Sequence, residues 1–320
     1  MQFTDISNNQ HIESATILNK AKSRGSGILG VITSNAKFSI GLAVVIFFVL
    51  VAICAPLLTH YNPDANLVVG AHAPTNAHIL GTTDQGQDVF AQLVYGARIT
   101  LLVSFTAAIG STVLQVLFGL TSAYFGGVID DVLTMIINIF LVLPALPLTI
   151  VLASLANASG TANKLLIIPI VLTFTSWSYG SRVLRAQTLS IKEREFVSSA
   201  RSSGETSLRI VFAEILPNEL ALVASNFVGT FVYAIGTEVA LDFLGLGDVT
   251  KSSWGVMLYW AQENTALLAG HWWLFVPPGL CVAFLCAALT FINFGIDELS
   301  NPRLRREPKP KLSKKQKVVA

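Results

Sequence analysis

The stretch EREFVSSARSSGETSLRIVFAEILPN, residues 193–218, is a long polar interruption between two strongly apolar segments in the middle of this sequence. Glu193, Arg194, Glu195, Arg201, Glu205 and Arg209 crowd into it, although only 12% of the chain is charged. Its apolar residues are ordered as well. Phe196, Val197 and Ala200 fall at helical spacing, and so do Leu208, Val211, Phe212 and Ile215. The pattern predicts two short amphipathic helices broken at Gly204, the second ending at Pro217. Glycine tolerates the positive φ of a sharp reversal, and proline cannot continue a helical hydrogen-bond ladder. A solvated tether is the alternative, but a tether has no need of an ordered apolar face.

Outward from this stretch the composition is that of a membrane protein. Hydrophobic residues make up 52% of 320, and the mean hydropathy is +0.62. Several apolar runs are long enough to cross a hydrocarbon core of about 30 Å, which takes roughly 20 helical residues. The predicted class is all-α with six transmembrane helices, over 38–58, 99–125, 132–155, 165–184, 220–244 and 273–294. Pro144 and Pro147 should kink the third span. A helix over 88–98, with Val89, Phe90, Leu93 and Val94 on one face, is expected to lie along the membrane surface before the second span begins. Trp272 and Trp273 stand where an interfacial aromatic belt belongs.

Six spans place both termini on one side, and lysine and arginine decide which. The N-terminal tail, the stretch 182–209 and the tail 301–320 hold nearly all of them, including Lys20, Lys22, Arg24, Arg182, Arg185 and Arg201. The opposite loops hold Arg98, Lys164 and Lys251. Both termini and the 186–217 loop are therefore assigned to the cytoplasm. Residues 1–36 are too long and too polar for the n-region of a signal peptide. The basic tail reads as an anchor on anionic membrane lipid and not as a nucleic-acid site. Residues 37–97 make up the first span and an extracytoplasmic segment, and 98–300 the core.

The chemistry that is missing narrows the function. There is no GxxxxGK[ST] loop, so the chain has no phosphate cradle of its own, and no HExxH or GxSxG is present. The five histidines all lie outside the predicted spans, and His72 and His78 read as solvated more readily than as metal ligands. Cys54, Cys281 and Cys286 sit singly in apolar runs, as small buried or lipid-facing residues. No metal or cofactor site is expected. The costly residues are Glu238 and Asp242, i and i+4 on one face of the fifth span. They read either as a pathway-lining or gating pair, or as a structural cap on the FLGLG turn that follows.

With Gly204 and Pro217 placed, FVSSARSSGETSLRIVFAEILPN resembles the EAA loop of binding-protein-dependent ABC importer permeases. Ala200, Gly204, Ile215, Leu216 and Pro217 stand at the family spacing, while Ser198 and Ser199 replace the family Glu and Ala. Three further stretches resemble the C-type permease subunit of peptide and nickel importers. HILGTTDQGQDVFAQLVYGARITLL (78–102) matches at Gly81, Thr82, Gly86, Asp88, Val89 and Tyr95 to Arg98, with Gln87 and Gln92 in place of two arginines. EVALDFLGLGDVTKSSWGVML (238–258) and FINFGIDELSNPRLR (291–305) are the others.

The resemblance implies a type I ABC importer permease fold. It implies a coupling surface of Phe196, Ser198, Ser199, Ala200, Arg201, Ser202, Gly204 and Pro217, with the helix over 196–203 docking on an ATPase. The implied partners are a homologous B-type permease, two cytoplasmic ABC ATPase subunits that bind the ATP, and an extracytoplasmic peptide-binding protein, in the inner membrane of a prokaryote. The implied cargo is short peptides, with nickel or a metal chelate as the alternative within the family. Outside it, an ATPase-independent secondary transporter and a polytopic assembly protein are the competing classes.

Overall fold

The computed structural model describes residues 36–158 and 164–300. The basic tail, with Pro302 and Arg303, and the tail 1–35 lie outside the described residues. The elements are helices: α1 (Ala36–Ile53), α2 (Val89–Phe125), α3 (Gly127–Val142), α4 (Ala145–Ala158), α5 (Lys164–Lys192), α6 (Glu195–Ser202), α7 (Leu216–Phe243), α8 (Trp254–Glu263) and α9 (Val276–Ser300). Single turns connect some of them, and an isolated antiparallel bridge pairs Thr82 with Asp88. Among the described residues, four helical runs are long and apolar enough to cross a membrane, or five if the bent pair α3–α4 is one span. Their outward side chains are apolar too: Phe47, Leu50, Leu102, Val113, Phe174 and Phe284 are all exposed. That is the surface a helix shows to lipid.

α2 is the axis of the bundle. The surface helix expected over 88–98 does not exist as a separate element, because α2 runs unbroken from Val89 to Phe125, 37 residues. Nothing at Arg98–Ile99 interrupts its ladder, and its start is fixed at Asp88, whose Oδ1 accepts the Ala91 N–H at 2.7 Å. At 1.5 Å per residue α2 is about 55 Å long, so its first turns extend beyond a hydrocarbon core of about 30 Å. Gln87 and Gln92, the two departures from the family arginines, pair with each other, Gln92 Nε2 donating to Gln87 Oε1 at 2.6 Å.

The α2–α5 interface is lined with small and hydroxylated side chains. Ser111 Oγ lies 2.6 Å from Ser176 Oγ, and Gln115 Nε2 donates to Thr230 Oγ1 on α7 at 3.0 Å. A Cβ at Gly180 would overlap the Gln115 amide. Close backbone approach with hydroxyls as cross-links is how helices associate in lipid, where apolar area gives no preference for protein over solvent.

The proline pair acts differently at its two positions. α3 and α4 meet at 91°, with Leu143 extended (φ −65°, ψ 131°) ahead of Pro144, since an α conformation is disfavoured before proline. Pro147 lies in the first turn of α4, where no donor is needed. The expected kink is thus a complete break at Pro144.

At the far end of α7 the indole of Trp254 closes the core. It is 1% exposed, stands edge-on to Phe48 with centroids 5.4 Å apart, and donates Nε1–H to Leu93 O at 2.9 Å. Trp254→Ala is expected to cost about 3–5 kcal/mol. Thermal unfolding of the purified protein in nanodiscs checks this, and an unchanged transition temperature would refute it.

Candidate functional site

α6 is amphipathic and its apolar side is filled. Val197 is fully buried, with Phe196 and Ala200 half-buried beside it, against Leu120 and Tyr124 of α2, Leu184 and Ile191 of α5, and Ile210, Val211 and Ile215. The opposite side, with Ser198, Ser199, Arg201 and Ser202, is exposed. Ser198 Oγ donates back to Glu195 O at 2.8 Å, so its hydroxyl is held close to its own helix.

The turn after α6 is a Schellman closure. Glu205 N donates to Ala200 O at 3.2 Å and Gly204 N to Arg201 O at 3.1 Å, with Gly204 at φ +81°. This is the paired 6→1 and 5→2 pattern that needs a left-handed residue. Arg209 Nε reaches Glu205 Oε2 at 2.7 Å and steadies the next turn. The Arg201 guanidinium lies 5.8 Å from the Tyr124 ring centroid, within cation–π range.

Pro217 does not end the second helix, as expected from sequence, but lies inside a continuous helical run, Ser207–Phe243. Residues Ile210–Ile215 form a π-turn in which Leu216 N donates to Val211 O. The widened turn restarts the ladder, so Pro217 occupies the first turn of α7, where its missing N–H leaves no bond unmade. From Ser207 onward the stretch is therefore continuous with the long helix that follows it, and the Gly204 turn sets α6 off from that run.

Two interactions absent from the sequence reading tie this end of the bundle together. Arg185 holds Asp130 with both arms of its fork, Nε to Oδ1 at 2.8 Å and Nη2 to Oδ2 at 2.7 Å. Lys192 Nζ donates to Ala123 O at 2.9 Å, among the last carbonyls of α2. Both sets of partners are far apart in sequence, and the only signal for them was that charged residues sat beside apolar runs. Glu219, fully buried just after Pro217, accepts from Thr188 Oγ1 at 2.8 Å and was likewise missed.

Glu238 and Asp242 are not part of this cluster. They lie on α7 roughly 45 Å along the helical run from Ser207, both buried. Glu238 Oε1 accepts from Thr100 Oγ1 at 3.3 Å, and Asp242 Oδ2 accepts from Ser253 Oγ. The Ser253 hydroxyl also caps α8 by accepting the Val256 N–H at 3.1 Å. α7 closes here with a second Schellman turn, Leu246 N to Leu241 O at 3.0 Å and Gly245 N to Asp242 O at 2.9 Å.

Residues 115–306, which contain α6, the π-turn, Glu238 and Asp242, match the family described as binding-protein-dependent transport system inner membrane component. The chain belongs to this family. Residues 34–77 of the permease match a second family, the N-terminal transmembrane domain of oligopeptide transport permease C. Among its relatives, a dipeptide transport system permease of Bacillus subtilis is 32% identical over 269 residues, covering 83% of this chain and 82% of the relative. The oligopeptide transport system permease of the same organism is 31% identical over 278 residues, covering 85% and 88%. A chain of the inward-facing MetNI methionine ABC transporter shares the fold, with a TM-score of 0.53 at 19% identity, covering 67% of this chain and 97% of that one. The permease is thus a multi-pass protein of the inner membrane, with a fold found in ABC importers.

Proposed function

We propose that this chain is the C-type permease subunit of an ATP-driven importer of short peptides, coupled to its ATPase subunits through α6. The observation that carries the reading is the two-sidedness of α6. Its apolar face is packed against the ends of α2 and α5, and its serine-rich face is open. A load on that face passes into the bundle through the buried contacts of α6 and through the hydrogen-bonded Gly204 turn into the helical run Ser207–Phe243. Small side chains at Ser198, Ser199 and Ser202 allow close approach of a partner surface.

In this reading the chain crosses the membrane six times, α5 being the span whose polar side chains face α2. The chain carries no ATPase site of its own, and ATP is held by two partner subunits. A homologous B-type permease completes the pathway, and an external binding protein delivers the peptide. The arginine and lysine distribution supports a cytoplasmic α6 and cytoplasmic termini. Glu238 and Asp242, at the outer end of α7, act as a gate fixture by holding α8 to α7 and α2. The names of the relatives favour peptides over nickel as cargo.

Uptake of radiolabelled di- and oligopeptides by a deletion strain tests the cargo. Loss of peptide uptake, restored by the plasmid-borne gene, is expected; intact peptide uptake with lost nickel uptake would overturn it. A Ser199→Cys variant tests the docking face. Its thiol is expected to cross-link to a copurifying P-loop subunit, and labelling from the external medium instead would overturn the orientation.

A further inference from the structure

Two cations at the outer end of the bundle have no counter-charge. Arg98 and Lys251 are exposed, and among the described residues neither side chain makes an ion pair. They come from separate elements, Arg98 from α2 and Lys251 from the loop between α7 and α8, yet both line one open groove of about 770 Å³. That lies within the range of small-molecule sites, about 300–1,000 Å³. The segment after α1 forms the third side, with Tyr61 and Asp64. Asp64 is the one acid among the lining residues, and its Oδ1 accepts from Ser252 Oγ at 3.1 Å, not from either cation. The groove is left net positive, so its occupant is an anion. Arg98 brings the fork of donors that matches a phosphate, and Lys251 a second point charge.

What lies along α2 from the groove defines the rest of that occupant. Leu102, Phe105, Ile109 and Val113 follow Arg98 on one face of the helix, at steps of four, three, four and four, and are 44–58% exposed. Thr106 borders the stripe, but its hydroxyl donates back to Leu102 O at 2.8 Å. At 1.5 Å per residue the apolar part of the stripe is about 16 Å long, close to half of a hydrocarbon core of about 30 Å. It is therefore one leaflet deep. Tyr61 and Tyr95 line the groove above it, where aromatic rings sit at a membrane–water interface. A cationic hollow that opens onto an apolar track of this length fits an amphiphile. A soluble anion, or an acidic loop of another protein, would use the hollow and leave the track bare.

We propose that Arg98 and Lys251 bind the headgroup phosphate of an anionic phospholipid, of the phosphatidylglycerol class, with one acyl chain laid along residues 102–113 of α2. The lipid neutralises both cations and bridges α2 to the loop that leads into α8.

The test uses the full chain purified with its copurifying subunits in detergent, stripped of lipid and titrated with dioleoyl phosphatidylglycerol or dioleoyl phosphatidylcholine. Bound lipids are counted by native mass spectrometry. At least one phosphatidylglycerol per copy of this chain is expected to be retained at concentrations where phosphatidylcholine is not. Arg98→Gln and Lys251→Gln are each expected to weaken that adduct about tenfold, the scale of one charge-assisted hydrogen bond, and the double variant to lose one adduct per chain. Both side chains are exposed and unpaired among the described residues, so these substitutions leave the packing of the bundle intact. Equal retention of the two lipids would overturn the proposal, as would an adduct count that the double variant does not change. A groove closed by a neighbouring subunit gives no adduct to lose and has the same consequence. Displacement of the lipid by an equal concentration of glycerol phosphate would also overturn it, because the hollow would then take a free phosphate without the acyl track. Adducts are counted without uptake or hydrolysis, so failure here and failure of the peptide-import reading are separate results.

Discussion

Gly204→Leu is expected to abolish peptide uptake while leaving membrane insertion intact. The reason lies in two observations that separate conformational from steric effects. Gly204 sits at φ +81°, and a Cβ built there meets nothing within 4 Å. Inside the chain, then, the penalty of any L side chain is backbone strain, roughly 1–2 kcal/mol for a left-handed residue, and alanine incurs as much of it as leucine. Asparagine tolerates the left-handed region better. If α6 were only a solvated hairpin, Gly204→Ala and Gly204→Leu would behave alike. If it docks on an ATPase, the leucine side chain also holds the two surfaces apart. The expected order of uptake is therefore Gly, Asn, Ala, with Leu at background, and ATPase subunits should copurify with the first three and not with the fourth. Alanine and leucine variants that transport equally well would remove the docking surface from the account.

What was legible in the sequence divides along physical lines. Helical periodicity and a lone glycine were enough to place α6 and its reversal, because a Schellman turn is a local structure whose requirement falls on one residue. Pro217 was misread for an equally local reason. A proline is a breaker only where its N–H is needed, and the π-turn at Ile210–Ile215 removes that need through a change of ladder that no apolar spacing reveals. The apolar face over 88–98 predicts a separate surface helix, but helix continuity depends on the backbone, and α2 passes through Arg98 unbroken. Pro144 and Pro147 look alike in sequence; only the first falls where an extended residue precedes it and breaks the helix. The polar α2–α5 interface was hidden because serine, threonine and glycine at helical spacing give no apolar stripe, although they form one continuous contact in lipid. Glu238 and Asp242 were legible as unusual, since carboxylates in apolar runs are costly wherever they sit, but their partners Thr100 and Ser253 lie 138 and 11 residues away.

Breaking the Asp130–Arg185 pair should uncouple hydrolysis from uptake, and this is the stronger mechanical test. Arg185 precedes α6 by about 15 Å of helix, and Asp130 lies in the first turn of α3, the arm that bends by 91° into α4. The pair therefore joins the end of α5 that leads into α6 to the bent hairpin. Its side chains are 27% and 18% exposed, which places its worth between an exposed pair and a fully buried one, on the order of 2 kcal/mol. Arg185→Gln and Asp130→Asn are each expected to lower peptide uptake about thirtyfold, the factor that about 2 kcal/mol represents, while ATP hydrolysis by the purified complex continues. Arg185→Lys should recover little, because an ammonium cannot reproduce the two-armed contact. The exchanged pair, Asp130→Arg with Arg185→Asp, should recover more than either charge reversal alone. A reversal pair no better than its single variants would mean that the two residues act separately. Loss of hydrolysis in step with uptake would mean that the pair only holds the fold together, and that force from α6 reaches the hairpin by way of the buried cluster around Val197 instead.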